Sequence, residues 1–256
     1  DMENQKMHPK SRKGYPVLVS LGLVLVGLGL WEAACRFLQI PEFILPGPWQ
    51  IAVTAVLRAP LLAPHALVTG TEIVAGCLLA LAAALPLAVG MFYSQSLERA
   101  LAPFLVASQA VPVFALAPLL VVWLGYGLAS KVLMAAVIIF FPITVTLLEG
   151  FKSCDAEYRG LFRLMGAGFW DSFTRLYWPW ALSHFFAGLK VGVSVATIGA
   201  VIGEWVGASE GLGYLMIQSN ARLQTDLVFA AILWLSLIGL SLWALVGWLE
   251  RRIMTW

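Results

Sequence analysis

Residues 152–180, KSCDAEYRGLFRLMGAGFWDSFTRLYWPW, form the longest charged interval in an otherwise apolar chain. Lys152, Asp155, Glu157, Arg159, Arg163, Asp171 and Arg175 fall here. Between them Tyr158, Phe162, Met165, Phe169, Phe173 and Leu176 recur at steps of four and three. That spacing predicts helix with one apolar face. Asp155–Arg159 and Asp171–Arg175 place acid before base four residues apart, the favourable order on a helix surface. Gly166-Ala167-Gly168 interrupts the run, so the stretch reads as two short helices hinged at the glycines. An amphipathic element held between membrane spans needs something other than lipid against its apolar face, and a soluble partner protein fits.

The chain around it is a membrane protein. Of 256 residues 61% are hydrophobic and 12% charged, with a mean hydropathy of +0.87. A soluble domain of this length carries roughly twice that charge. The expected fold class is therefore all-α, polytopic, with about six transmembrane helices. The spans are expected near 15–38, 66–92, 101–124, 129–148, 181–202 and 227–249, each long enough for a bilayer core of about 30 Å. A basic tail occupies 1–14, and the membrane domain 15–256. Between the first two spans, a proline-rich excursion over 39–63 holds a short helix, Trp49–Leu57. Residues 94–99 read as a polar loop and 203–226 as an outer segment. Pro103, Pro112 and Pro118 all lie in the third span, which should be bent or broken.

Basic residues set the orientation. With both termini cytoplasmic, the inner loops hold eleven of the sixteen, namely Lys6, Lys10, Arg12, Lys13, Arg99, Lys152, Arg159, Arg163, Arg175, Arg251 and Arg252. Arg36, Arg58, Lys131 and Arg222 lie at or near the outer ends. This asymmetry places 152–180 in the cytoplasm.

No enzyme constellation is present. His8, His65 and His184 are scattered, and Cys35, Cys77 and Cys154 form no metal or disulfide pattern. There is no phosphate-binding G-x-x-x-x-G-K-[ST], so an energy source would lie in another chain. Nothing points to nucleic acid. Gly188, Gly192, Gly199 and Gly203 line one face of the fifth span and permit close helix approach, either within the chain or at a subunit or gate interface. Ionisable and polar groups in spans are candidates for a solute path. Glu204 leads, followed by Glu72 and Lys190, with Gln109, Thr144, Thr146, Ser194 and Thr197 as further candidates and Glu32 and Glu149 as weaker ones.

At this point the chain resembles the permease subunits of bacterial ATP-binding-cassette importers fed by a binding protein. Their cytoplasmic loop reads E-A-A, three residues, Gly, nine residues, Ile-x-Leu-Pro. Anchored on Gly166, the last positions fall on Leu176, Trp178 and Pro179, while Gly160-Leu161-Phe162 replaces E-A-A. Ala110-Val111-Pro112, Pro118-Leu119-Leu120 and Trp123-Leu124-Gly125 are similar to the nitrate/sulfonate/taurine branch. So are Phe140-Phe141-Pro142-Ile143 and the segment Gly207-Ala208-Ser209 to Tyr214. Gly203-Glu204-Trp205-Val206-Gly207 and the segment Gln218 to Asp226 resemble permeases for the hydroxymethylpyrimidine precursor of thiamine.

The resemblance implies a pore of two permease copies, expected as a homodimer in the bacterial inner membrane. It further implies two cytoplasmic ATPases carrying the ATP and Mg, and an extracytoplasmic solute-binding protein. This chain itself would hold no cofactor. The ATPase contacts would be Arg159, Phe162, Arg163, Gly166, Ala167, Phe169, Phe173, Arg175 and Pro179. A secondary transporter or channel, uncoupled to an ATPase, is the competing class; it would need inverted repeats or a proton relay.

Overall fold

The structure, a computed structural model, describes residues 15–254. The basic tail expected over 1–14 lies outside the described residues. The described chain is helical throughout, joined by short turns. Its helices are α1 (Tyr15–Phe37), α2 (Pro48–Leu57), α3 (Ala59–Tyr93), α4 (Gln95–Ala110), α5 (Val113–Leu124), α6 (Leu128–Lys152), α7 (Ala156–Leu164), α8 (Phe169–Ser172), α9 (Trp178–Gly207), α10 (Leu212–Ala221) and α11 (Thr225–Ile253).

Five helical rods are long and apolar enough to cross a membrane, and the α4–α5 pair makes a sixth if counted as one broken span. The two halves of that pair meet at 100°. Of its three prolines only Pro112 sits at the break. Proline disfavours helical backbone in the residue before it, and Val111 is accordingly extended, with φ −76° and ψ 123°. Pro103 and Pro118 lie inside α4 and α5.

Several boundaries differ from those expected. α3 begins at Ala59 rather than near residue 66, because Pro60 occupies the first turn, where a missing N–H costs nothing. Its 35 residues rise about 52 Å, well beyond the bilayer core. The expected polar loop at 94–99 is instead a helix start: Ser94 caps α4, its Oγ accepting from Leu97 N–H at 3.2 Å. The outer segment contains a further helix, α10.

The second short helix of the charged interval is not a separate element. From Phe169 to Gly207 the backbone forms one rod of 39 residues, with a single wide turn at Phe173–Tyr177. There the Trp178 N–H bonds the Phe173 carbonyl, five residues back. Pro179, next in sequence, has no N–H to give and crowds the carbonyl four residues behind, which the wider turn relieves.

At the centre lies α6, packed along α9 on one side and α3 on the other. The α6–α9 seam is tight because glycines leave room. A Cβ on Gly192 would stand 2.9 Å from Ile139 Cγ2, one on Gly199 2.9 Å from Ala135 Cα, and one on Gly203 3.2 Å from Lys131 Cα. A Cβ on Gly188 would collide with Thr146 Oγ1. All four glycines of the stripe thus serve packing inside the chain. Ile139, Ile143, Ala196 and Ala200 fill the seam, fully buried. By contrast, α1 is exposed along its apolar length. It joins the bundle at its end, through Trp31 against Phe229 and the Glu32 carboxylate accepting from Trp49 N–H.

Candidate functional site

The two ends of α9, about 45 Å apart by helix rise, carry different chemistry. At its N-terminal end sits the 152–180 interval. Asp155 caps α7, its carboxylate accepting from Glu157 N–H at 3.1 Å. The helix stops at a left-handed glycine, Gly166 with φ +69°. Gly166 N–H bonds Arg163 O and Ala167 N–H bonds Phe162 O, both at 3.0 Å. That pair of bonds is the Schellman closure, which favours glycine at this position. The bend between the two helices is therefore written in the backbone.

Aromatic packing then separates anchors from free surface. Phe169 lies 4.5 Å, centroid to centroid, from Tyr93 at the end of α3 and stacks on Phe173. Phe173 meets Phe151 at the end of α6, and Tyr177 meets Phe92. Tyr158 leans on Trp180, tying α7 to α9. Most open are Leu164, Met165 and Trp170, 88%, 73% and 72% exposed, with Leu161 half exposed beside them and Tyr158 and Phe169 half exposed despite their ring contacts. Arg163 and Arg175 are exposed beside them, while Arg159, Phe162, Ala167 and Pro179 are half-buried. Arg175 pairs with Asp171 at 3.5 Å. Burial pushes the Cys154 thiol above its ordinary range, with Arg159 acting in the opposite sense. An exposed apolar patch ringed by arginines on a rigid ledge can dock a protein and pass on a push. Leu161, Leu164 and Trp170 were not singled out from sequence, since periodicity cannot say which apolar face its own spans will cover.

At the other end, α10 starts against α3 and α9. The first backbone N–H groups of a helix have no partner of their own, and here side chains from other helices supply them. Gly211 N–H bonds His65 Nδ1 at 3.0 Å and Leu212 N–H bonds Thr69 Oγ1 at 2.9 Å. Glu204 Oε2 accepts from Gly213 N–H at 2.5 Å and from Tyr214 N–H at 3.4 Å. Thr69 in turn donates to Glu204 Oε1 at 2.6 Å. A carboxylate beneath a helix N-terminus is electrostatically favoured. Glu204, fully buried, is therefore the post on which α10 stands. Beside it is Glu72, also fully buried, which Lys131 of α6 approaches at 3.4 Å. The unusual feature is Glu72: neither carboxylate oxygen accepts a hydrogen bond.

The other polar residues proposed for a path are dispersed. Thr144 is fully buried and donates back to Phe140 O, so it lies in helix packing; Thr146 does the same to Pro142 O. Lys190 is paired with Glu250 of α11 and stands 5.7 Å over the Trp243 ring. Ser194 is exposed and Thr197 half-buried, on the side of α9 away from the glycine seam, and Gln109 is exposed on α4. Among the described residues no group of His, Cys, Asp or Glu could hold a metal ion.

Residues 73–255 match the family described as binding-protein-dependent transport system inner membrane component. The chain is 42% identical to a probable ABC transporter permease of Haemophilus influenzae, over 91% of this chain and 96% of that one. It is 38% identical to the formylaminopyrimidine transport permease of Halalkalibacterium halodurans, over 96% and 98%. A riboflavin transport system permease of Chloroflexus aurantiacus is 40% identical, over 95% and 90%. The taurine permease of Escherichia coli stands further off at 27%, over 99% and 96%. The match covers most of the chain, and the chain belongs to the family of binding-protein-dependent transport system inner membrane components.

Proposed function

We propose that this chain forms the membrane path of an ATP-driven importer and that the ledge at 156–180 is its mechanical input. A cytoplasmic ATPase, which carries the ATP and Mg, seats α7 and the start of the α8–α9 rod in a surface groove. Two permease copies surround the path, each gripped by one ATPase, in the bacterial cytoplasmic membrane. A solute-binding protein docks at the opposite end, beside α2 and α10. ATP-driven closure of the ATPase pair moves the ledge, and the 39-residue rod carries that motion across the bilayer as rigid-body rocking.

The observation that carries this reading is the uncovered patch Leu161, Leu164, Met165 and Trp170 on a ledge whose other aromatics are already committed to the spans. The distribution of basic residues supports a cytoplasmic ledge. For the cargo, the permeases at 38% and 40% identity are named for formylaminopyrimidine and riboflavin, and those at 27% for sulfonates and taurine. A small nitrogen heterocycle is the cargo this favours.

Charge placed in the patch tests the reading. With Leu164→Glu or Trp170→Glu, the ATPase should co-purify at least ten-fold less while the permease still inserts, as judged by membrane yield and monodispersity. Unchanged co-purification and uptake would refute the docking assignment.

A further inference from the structure

Beside the buried Glu72–Lys131–Glu204 set lies a cavity of about 390 Å³, within the size range of small-molecule sites. Lys131 and Glu204 belong to its wall. Tyr126, Trp205 and Tyr214 supply aromatic surface, and Gln218 and Ser209 supply neutral hydrogen-bonding groups. We propose that this cavity is a solute subsite at the α10 end of the path, selecting small planar nitrogen heterocycles that are neutral or cationic and rejecting anions. The proposal rests on the importer reading and names the substrate class for it.

Three features carry it. The first is charge. Two carboxyls face one ammonium, so the set is net negative when both are ionised and neutral when one is protonated. Only with both acids protonated is it net positive, and in the other two states an anion gains no field here. Moreover, the Lys131 ammonium is already opposed by Glu72.

The second feature is unspent hydrogen-bonding capacity. Lys131 has one ion pair, to Glu72 at 3.4 Å, and its side chain is 9% exposed. Neither Glu72 carboxylate oxygen has a hydrogen-bond partner. Buried polar groups are ordinarily satisfied. A ligand placing a ring nitrogen or carbonyl against Lys131 would supply what the protein leaves out.

The third is shape and surface. Tyr126 is 82% exposed and Trp205 43%, so their rings are free to cover a flat solute. Aromatic faces favour planar and cationic partners and offer little to a tetrahedral sulfonate. The floor is firm, because α10 is pinned through Glu204, Thr69 and His65 and Lys131 is pressed against Gly203.

Binding without transport tests this. In the assembled permease–ATPase complex, with the three native cysteines replaced by alanine, Gln218→Cys is alkylated with N-ethylmaleimide. 4-Amino-5-hydroxymethyl-2-methylpyrimidine should slow alkylation at least five-fold. Taurine and nitrate should leave it unchanged, as should a control Phe104→Cys with either solute. Added Glu72→Gln should bring measurable protection by taurine. Should the cysteine-free chain fail to assemble, Tyr126→Ala in the native chain gives the second measurement. It should lower ATP-driven uptake of the pyrimidine at least five-fold, with ATPase co-purification intact and Tyr126→Phe near normal. No protection by the pyrimidine, or equal protection by taurine, would overturn the subsite; so would full uptake by Tyr126→Ala. Alkylation needs no ATP, so loss of ATPase co-purification would count against the importer reading instead.

Discussion

Gly211 and Gly166 are both left-handed in φ, yet their environments differ. Gly166, at φ +69°, has no atom near where a Cβ would stand, and the strain of a side chain there is purely that of the backbone. Gly211, at φ +112° and ψ 161°, occupies a region open essentially to glycine, and its Cβ would run into the Glu204 carboxyl. Gly211→Ala should therefore destabilise by about 2–3 kcal/mol and release the α10 start. Gly160→Ala, in the middle of α7, half-buried but with nothing within 4 Å of a Cβ, should be neutral or stabilising by up to about 1 kcal/mol. Thermal unfolding of the two detergent-solubilised variants checks the contrast; a Gly211→Ala midpoint equal to that of the native chain would refute it. Glu204 shows how far single residues were readable. An acid at the end of a glycine stripe was visible as a functional suspect. Its partner Thr69, far away in sequence, became one only when α3 came alongside α9.

At the scale of elements, the α8–α9 rod turns on Pro179. Alanine there restores an N–H and removes the clash, so the wide turn at Phe173–Tyr177 can tighten to ordinary helix. Each residue of register rotates the preceding segment by roughly 100°, turning Phe169 and Trp170 away from their present directions. Pro179→Ala should keep its insertion and thermal midpoint but lose ATP-driven uptake at least several-fold. Uptake in proteoliposomes measured beside thermal unfolding decides it, and full uptake would show that the wide turn does not aim the ledge. The broken third span was legible from its prolines; which of the three breaks it was not. Pro103 and Pro118 lie within helices, whereas Pro112 coincides with the one site where the chain has a reason to turn.

For the whole molecule, the positions of Leu164 and Arg222 near opposite ends of the bundle make the orientation testable. An impermeant maleimide should label Arg222→Cys in intact cells and Leu164→Cys only in inverted vesicles. The reverse pattern would overturn both the inward placement of the ledge and the ATPase docking that depends on it. The bundle itself is asymmetric in its investments. Close glycine packing joins α3, α6 and α9 into a stiff core, while α1 and the α4–α5 pair present long apolar surfaces to their surroundings. Stiffness through the core is what lets an input at one end be felt at the other, since close-packed interiors transmit displacement.

What the sequence by itself determined is what local chemistry and solvent dictate. Composition requires a bilayer, runs of about twenty apolar residues require spans, prolines require a break, and Gly166 requires a bend. Those constraints act within a few residues or through the solvent, so they can be read along the chain. The tertiary structure alone decided which apolar residues are spent and which remain. Phe169 and Phe173 are taken by Tyr93 and Phe151, which leaves Leu164 and Trp170 uncovered. It also decided that Glu72, Lys131 and Glu204 share one buried site beside a cavity. They stand on three different helices, and nothing within any one helix records how near the others will come.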